Sequence, residues 1–394
     1  MDFTKLKECM DMFVEKYNTP GVDCIVYKDH EVLYRYYAGL SDLENKKPMN
    51  GNELYFIFSM TKMITCTCAL QLLEKGKYTL NDPVSVYLPE FEKMRISDTE
   101  FDSEGAGKVS TGDTEADSGS ISEKGYAKNP ITIKHLFTMS AGLDYDLWSD
   151  AIKESQEQGK TTTRDIARAI SKTVLGFEPG TRYRYSLCHD VLGALVEVWS
   201  GKKLGDYMKE NVFEPLGMKN TYFGVPQGEE LSRLAARYRF DENKVPVLQP
   251  VNCIYNLTGE YQSGGAGLTS CTEDYALFLD AIACGGVGKS GKRILSTASV
   301  ELMGTNHLNE TQVKDFNKMR PGYGYGLGVR TFMDQTVGHT CNIGEFGWGG
   351  AAGATAMVDT KEKLAVFFVQ HTLNPREEWY MPRLRNIVYT CLGR

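Results

Sequence analysis

The chain has 394 residues, of which 42% are hydrophobic and 24% charged, and its formal net charge is −7. These values are ordinary for a globular protein and allow one or more substantial cores. No basic stripe is present that would bind nucleic acid or anionic lipid, so we expect neither as a partner. The clean apolar stretch at residues 364–369 is too short to span a bilayer and predicts a buried strand.

The beginning of the chain predicts an amphipathic helix and not a signal peptide. Its apolar face is formed by Phe3, Leu6, Cys9, Met10 and Phe13. The ten cysteines show no paired spacing, which favours a reducing compartment over a disulfide framework. We therefore expect a cytoplasmic protein. The six histidines do not cluster at metal-ligand spacing, so no metal site is expected.

Turn signals and apolar periodicity predict further elements along the chain. Residues 22–27 and 31–37 alternate around Asp29-His30, which predicts a hairpin, and a helix is predicted from Ser59 to Glu74. Further helices are expected near residues 133–139, 163–171, 191–200, 204–212 and 377–391, and strands at 325–331, 354–359 and 364–370.

This order predicts two structural units. Residues 1–75 and 262–394 are expected to form a unit around one sheet built from both ends of the chain. Residues 76–261 are expected to form a mainly helical unit inserted between them. A cleft between two such units is a usual place for a small-molecule site.

Residues 98–124 are strongly acidic, with eight acidic residues against two lysines. They are also rich in Gly, Ser and Thr and poor in large apolar residues. This composition predicts a mobile surface loop or a lid, and a solvated insertion without function is the favoured interpretation.

A possible nucleophile lies at the start of the helix predicted from Ser59. Ser59 and Lys62 are three residues apart, so their side chains project from the same helix face. At a helix start, the serine is also close to unpaired backbone N–H groups. A free lysine has a pKa near ~10.4, and acting as a base at neutral pH needs a downward shift that costs about 4 kcal/mol. Burial or a nearby cation can supply that shift, or a tyrosine takes the proton instead.

Two further segments are candidates for the same site. Tyr185 lies in a loop just before a predicted helix and is the candidate proton-transfer residue; His189, four residues on, is expected to cap or pack that helix. The glycine-rich segment 346–353 leads into a predicted strand and exposes N–H donors. Those donors would form an oxyanion hole with the N–H of Ser59. The alternative is a glycine-rich bulge around a packed tryptophan.

Together these segments resemble the serine β-lactamase and penicillin-binding-protein superfamily, most nearly the class C-like branch that includes family VIII carboxylesterases. Other segments carry the same resemblance: Ile131–Leu136, Glu214–Met218, Gly264–Leu268 and Pro321–Gly328. The resemblance implies an α/β (α+β) β-lactamase-like fold, in which helices flank an antiparallel sheet and a mainly helical second domain is inserted.

The resemblance also implies roles for individual residues. Ser59 would be the nucleophile, Lys62 its partner and Tyr185 the general base and acid. The backbone N–H groups of Ser59 and Ala351 would form the oxyanion hole. Trp348-Gly349-Gly350 would stand where lactamases carry Lys-Thr-Gly and would contact the substrate.

Two departures from the lactamase pattern bear on the substrate. The tyrosine motif usually ends in Asn, whose amide helps to hold the acylamino group of lactams; Leu187 stands here and is expected to line the substrate site. Trp348 replaces the lysine that helps to bind the substrate carboxylate. Both changes remove polar groups and favour neutral esters over penicillins.

The expected function is therefore hydrolysis of small, largely apolar esters through an acyl-enzyme on Ser59. Water would cleave that intermediate, so no metal or organic cofactor is expected, and the expected partner is a small ester substrate. Three alternatives are a β-lactamase or D-amino-acid peptidase, an acyltransferase, and a binding protein that kept the fold without turnover.

Overall fold

A computed structural model of the protein describes residues 1–99, 101, 123–252, 255 and 257–393. Most of the acidic stretch for which a mobile loop or lid was expected lies outside these residues. The nine cysteines among the described residues are all free thiols. None of the described helices combines the length and apolar character needed to cross a membrane.

Twelve α-helices are present in the described residues. They are α1 Thr4–Tyr17, α2 Thr61–Glu74, α3 Ile133–Phe137, α4 Asp150–Glu157, α5 Thr163–Ile170, α6 Cys188–Ser200, α7 Leu204–Met208, α8 Glu214–Leu216, α9 Thr272–Ala283, α10 Thr297–Gly304, α11 Glu310–Asn317 and α12 Glu377–Cys391. A π-helical turn at Lys209–Phe213 joins α7 to α8.

The described residues also contain sixteen strands, many of them short. They are β1 Gly21–Lys28, β2 Glu31–Asp42, β3 Lys47–Pro48, β4 Leu54–Phe56, β5 Arg95–Ser97, β6 Glu123–Tyr126, β7 Tyr222–Phe223, β8 Tyr238–Phe240, β9 Pro246–Leu248, β10 Leu268–Cys271, β11 Tyr323–Tyr325, β12 Arg330–Phe332, β13 Phe346–Gly347, β14 Thr355–Asp359, β15 Leu364–Val369 and β16 Thr372–Leu373.

The main sheet is antiparallel and has eight strands in the order β11-β12-β13-β14-β15-β1-β2-β3. All its strands come from the two ends of the chain, as the sequence predicts. Together with the flanking helices, this confirms the predicted α/β class with an antiparallel sheet.

Strand β15 is covered by helices on both faces. Alternate residues of a strand point to opposite faces, so Phe367 and Phe368 mark the two sides. The Phe368 ring contacts Phe13 of α1 and Tyr380 of α12, whereas the Phe367 ring contacts Tyr275 of α9. Burial on both faces explains why this strand is a continuous apolar run in the sequence.

Helix α2 runs through the interior, and twelve of its fourteen residues are buried. The sequence of this segment is apolar over most of its length, which is typical of a helix in a protein core. It packs mainly on α6. The prediction of a helix here is confirmed, with a 3-10 turn at Phe58–Met60 preceding the α-helical part.

The prediction of one strand over residues 325–331 is wrong. The chain instead forms β11 and β12, which pair with each other across a turn. Gly328 in this turn has a φ of +87°, a conformation that favours glycine. A Cβ at Gly326 would lie only 2.0 Å from the carbonyl oxygen of Met303, so the turn also needs glycine for space.

The middle of the chain contains the predicted helices but also five short strands. A three-stranded sheet in the order β4-β10-β7 joins residues 54–56, 268–271 and 222–223. This sheet links the middle segment directly to the strand before Ser59. The division into units at residues 75/76 and 261/262 stays a prediction.

We expect Phe367→Ala to destabilise the protein strongly, because Phe367 is fully buried at the centre of β15. Truncating a buried phenylalanine costs about 3–5 kcal/mol through lost burial and a residual cavity. Urea denaturation monitored by circular dichroism measures the change. Tyr126→Ala is the matched control, since Tyr126 is 64% exposed and its loss should change stability by less than about 0.5 kcal/mol. Equal effects of the two substitutions would contradict the assignment of this core.

Candidate active site

Ser59 occupies the 3-10 turn that leads into α2. The preceding residue, Phe58, has a φ of +45°, which is unusual for a residue with a side chain. Such strain persists only where the surrounding structure enforces it, and it is often found at functional sites. Here Phe58 is buried, and its ring packs on Phe56 and Tyr255. The packing of Phe58 thus holds the backbone from which Ser59 projects.

Lys62 lies one helical turn after Ser59 and is completely buried. Its ammonium group donates to the carbonyl oxygen of Gly265 at 2.7 Å. It also reaches the Tyr145 hydroxyl at 3.3 Å and Ser59 Oγ at 3.4 Å. The structure therefore brings together the serine and the lysine of the sequence motif.

Tyr185 completes the group of three side chains that the sequence singled out. Its hydroxyl forms a hydrogen bond of 2.7 Å with Ser59 Oγ. The Lys62 ammonium group lies 4.7 Å from the centre of the Tyr185 ring. A phenol oxygen and a cation thus both lie close to the hydroxyl of Ser59, which is the geometry required to move a proton away from that hydroxyl.

Tyr145 also belongs to the site, and sequence reasoning missed it. Its ring stacks on Tyr185 with 5.3 Å between the ring centres, and Lys62 lies 5.1 Å from the Tyr145 ring centre. Burial raises the pKa of Tyr145 well above its usual value, and Tyr185 adds to this effect. Tyr145 is therefore a neutral phenol. No local pattern around Leu143-Asp144-Tyr145 distinguishes it from other packed tyrosines.

Close backbone contact brings the glycine-rich segment to the serine turn. A Cβ at Gly350 would lie 2.5 Å from the carbonyl oxygen of Ile57, two residues before Ser59. Ala351 comes directly after Gly350 and therefore follows the point at which this segment contacts the serine turn. Within the described part of the chain, the N–H groups of Ser59 and Ala351 donate to no protein acceptor. This arrangement agrees with the predicted oxyanion hole, which stays a prediction.

Trp348 forms an aromatic wall beside Tyr185. The two rings stack with 5.6 Å between their centres, and the indole also packs on Phe316 and Tyr325. The packed tryptophan of the alternative interpretation is therefore present, whereas the oxyanion hole and the contact of Trp348 with the substrate stay predictions.

Leu187 lies at the N-terminal end of α6, the helix that follows Tyr185. Its side chain is buried and its N–H donates to the carbonyl oxygen of Asp144, which anchors the segment that carries Tyr145. The expectation that Leu187, Gly349 and Gly350 contact the substrate stays a prediction.

His189 packs within α6, as expected from the sequence. Burial, together with the nearby positive charge of Lys62, lowers the pKa of His189 to about 3. The ring nitrogen Nε2 lies 3.2 Å from the carbonyl oxygen of Phe137 and 3.7 Å from Cys66 Sγ. The imidazole is therefore neutral at physiological pH and forms no hydrogen bond with Ser59.

The described residues contain one group of three side chains with metal-ligand chemistry, formed by His30, Asp280 and Cys284. The group lies at the β1–β2 turn and the end of α9. None of its three side chains is hydrogen-bonded to Ser59. Asp280 and Cys284 are four residues apart, whereas the fold brings His30 to them from the other end of the chain. His30 Nδ1 and Asp280 Oδ2 are 2.7 Å apart and satisfy each other by a hydrogen bond.

A family model described as Beta-lactamase matches residues 6–389. The chain belongs to the beta-lactamase family. This match confirms the resemblance drawn from the serine, tyrosine and glycine-rich segments. It also agrees with the mixed helices and antiparallel sheet of the structure.

Similar proteins within this family carry different activities in their names. Esterase EstB of Burkholderia gladioli is 28% identical over 393 residues, which cover 93% of this chain and 90% of EstB. Acyltransferase calJ of Penicillium decumbens is 27% identical over 360 residues, which cover 85% of this chain and 80% of calJ. The family of this chain thus includes serine hydrolases and acyltransferases.

A solved structure confirms the fold over almost the whole chain. EstCE1, described as a hydrolase with promiscuous acyltransferase activity, superposes with a TM-score of 0.77 and is 24% identical. The match covers 98% of this chain and 97% of EstCE1. At this identity the similarity concerns the fold alone.

We expect Tyr145→Phe to reduce the reactivity of Ser59 by about 10- to 100-fold, because the Lys62 ammonium group loses an acceptor while the ring stacking remains. A hydrogen bond to a charged group contributes about 1.5–3 kcal/mol. The rate at which a fluorophosphonate probe labels the protein measures the effect.

Tyr183→Phe is the control for this substitution. Tyr183 is equally buried nearby, but its hydroxyl has no hydrogen-bond partner among the described residues. Its labelling rate should stay within about twofold of wild type. If both variants react at the wild-type rate, Tyr145 does not support the site.

Proposed function

We propose that the protein is a serine hydrolase that cleaves small, largely apolar carboxylic esters through an acyl-enzyme on Ser59. The observation that carries the proposal is the hydrogen bond of 2.7 Å between Ser59 Oγ and the Tyr185 hydroxyl, with the Lys62 ammonium group 3.4 Å from the same Oγ. Family membership supports the reaction class, and similarity to an esterase supports the choice of esters.

In the proposed acylation step, Ser59 Oγ forms a bond to the ester carbonyl carbon. Tyr185 enters this step as the phenolate, its own proton having left to solvent, and the positive charge of Lys62 stabilises that anion. The phenolate oxygen then takes the proton of Ser59 as Oγ attacks. The carbonyl oxygen becomes an oxyanion bound by the N–H groups of Ser59 and Ala351. When the tetrahedral intermediate collapses, the bond to the leaving alkoxide breaks and the proton goes to that alkoxide.

In the proposed deacylation step, a water molecule takes the place of the departed alcohol. Tyr185 accepts a proton from this water as the water oxygen attacks the acyl carbon. The same proton returns to Ser59 Oγ when the acyl–serine bond breaks, which releases the carboxylic acid. Every proton and bond is accounted for by the side chains, the water and the ester.

The surroundings of Ser59 favour a neutral, apolar substrate. Trp348 presents an aromatic surface beside Tyr185, and Leu187 offers no amide group for an acylamino substituent. Apolar acyl groups gain about 25 cal/mol for each Å² of surface that they bury against such a wall.

Steady-state hydrolysis of p-nitrophenyl butyrate beside nitrocefin tests the reaction and its selectivity. We expect ester turnover with negligible nitrocefin turnover. Ser59→Ala should lower kcat by at least about 1,000-fold, because it removes the nucleophile. Tyr185→Phe should lower kcat by about 100- to 10,000-fold, because it removes the proton-transfer group but keeps the ring.

Other results would select one of the alternatives. Nitrocefin turnover comparable to ester turnover would favour a β-lactamase or a D-amino-acid peptidase. Ester cleavage that survives Ser59→Ala would refute the nucleophile. Absence of both turnover and fluorophosphonate labelling would favour a binding protein.

Acyl transfer is the second candidate function, because an acyltransferase is among the similar proteins at 27% identity. The two functions share the acyl-enzyme and differ in whether water or an alcohol attacks it. Adding increasing concentrations of a small alcohol to the p-nitrophenyl butyrate reaction distinguishes them by product analysis. A hydrolase gives mainly butyrate, whereas an acyltransferase gives mainly the new ester at millimolar alcohol.

A further inference from the structure

The Lys62 ammonium group is buried without a direct ion pair. Its hydrogen-bond partners Ser59 Oγ, Tyr145 OH and Gly265 O are all neutral. Among the described residues, no carboxylate lies within salt-bridge distance of it. Because an isolated charge is costly to bury, a nearby negative charge is expected to compensate this one.

Asp190, in the first turn of α6, carries an unexplained buried carboxylate oxygen. The side chain is only 2% exposed. Its Oδ1 atom accepts hydrogen bonds from Tyr261 OH at 2.5 Å, Ser263 Oγ at 2.6 Å and Gly265 N at 3.3 Å. Its Oδ2 atom, in contrast, has no hydrogen-bond partner in the described part of the chain. A buried oxygen without a partner needs a physical reason.

Gly265 connects this carboxylate to Lys62. Its N–H donates to Asp190 Oδ1, and its carbonyl oxygen accepts from Lys62 Nζ. A Cβ at residue 265 would lie 2.5 Å from Asp190 Oδ2 and 3.2 Å from Lys62 Nζ. The carboxylate and the ammonium group therefore face the same small space, which is open only because residue 265 is glycine.

The other titratable groups close to Lys62 supply no negative charge. Burial lowers the pKa of His189 to about 3 and raises the pKa of the Cys188 thiol to about 11. Burial also raises the pKa of Cys66 and of Tyr145 well above their usual values. In the resting structure Ser59 and Tyr185 are both hydroxyl groups, and Tyr185 donates to Ser59 Oγ. Asp190 is thus the carboxylate available to balance Lys62.

We propose that Asp190 is the counter-ion of Lys62 and a positioning residue for Ser59, acting across the space that Gly265 leaves open. Opposite charges a few ångströms apart attract strongly in a buried site, even without contact. Because the two groups do not touch, the lysine keeps its N–H donors for Ser59 and Tyr145. The catalytic part of this inference rests on the proposed function, whereas the charge pairing does not.

The first test uses Asp190→Asn, which keeps the shape and removes the charge. We expect kcat for p-nitrophenyl butyrate to fall by about 10- to 100-fold, while KM stays within about twofold because Asp190 does not touch the substrate. The alkaline limb of the kcat pH profile should move to lower pH, because loss of the anion disfavours the charged form of Lys62.

Gly265→Ala is a second test of the charge pairing, because its methyl group would enter the space between Asp190 and Lys62. It should lower kcat in the same way. Asp274→Asn is the control, since Asp274, in the first turn of α9, is also buried but accepts hydrogen bonds from Asn220 N and Thr221 Oγ1. That control should lower stability only and leave the pH profile unchanged.

A double-mutant cycle tests the charge pairing without any activity measurement. Lys62→Met alone leaves Asp190 uncompensated and should lower Tm by several degrees. Adding Asp190→Asn should recover part of that loss, because neither charge then remains buried. Additive losses of Tm, or an Asp190→Asn variant with wild-type kcat and pH profile, would overturn the proposal. If the wild-type protein fails to cleave esters but the Tm cycle shows coupling, the proposed function is wrong and the charge pair stands.

Discussion

Burying the Lys62 ammonium group obliges the protein to supply polar atoms around it from distant parts of the chain. Lys62 lies in α2, of whose fourteen residues twelve are buried, and its own side chain is fully buried, so the ammonium group has no access to water. Its acceptors at Tyr145 and Gly265 lie 83 and 203 residues further along the sequence. The segments that carry these acceptors must therefore be folded against α2 before the charge is tolerated, which couples assembly of the site to assembly of the core.

Close backbone contacts make that assembly possible. A Cβ at Gly264 would lie 2.4 Å from the carbonyl oxygen of His189, so the 264–265 backbone rests directly on α6. A Cβ at Gly350 would similarly lie 2.5 Å from the carbonyl oxygen of Ile57. Two glycine segments from different parts of the chain thus press on the two elements that carry Ser59 and Asp190. Glycine is required at these positions for proximity, since any side chain would move a whole segment outward.

The sequence predicted the parts of the site that local pattern encodes. Ser59 and Lys62 lie at the start of a helix, three residues apart, and Tyr185 lies in a loop before a helix. Tyr145 was missed because its role arises from a tertiary contact with Lys62 and from stacking on Tyr185. Asp190 offered a better signal, because it is an acidic residue directly before an apolar run in α6, and acidic residues are rarely fully buried unless they are paired.

The fold shows the same division between local and tertiary information. The bounds of α12 agree with the prediction, and those of β14 and β15 agree within one residue at each end. Such bounds depend on the spacing of apolar residues and on turn residues, both of which are visible in a short stretch of sequence. The turn between β11 and β12 was missed because Gly326-Leu327-Gly328 interrupts an apolar run without a polar residue. The contact of Gly326 with the carbonyl oxygen of Met303, which leaves no room for a side chain, is tertiary and is not visible in the sequence pattern.

The proposed preference for neutral esters depends on the charges around Trp348-Gly349-Gly350. In the lactamase pattern a lysine stands at the first of these positions and helps to bind a substrate carboxylate. Here a Cβ at Gly349 would lie 2.9 Å from the Glu377 carboxylate, whose charge is balanced by Arg320 at 2.7 Å.

The pair of Glu377 and Arg320 therefore adds no net positive charge beside Gly349. Lys62 is the cation that contacts Ser59 in the described part of the chain, and it is fully buried and already donates to Gly265 and Tyr145. An anionic substrate would have to give up its hydration without gaining a cation in return, which is costly. A neutral ester faces no such cost, so the charges around the site agree with the proposed preference for neutral esters.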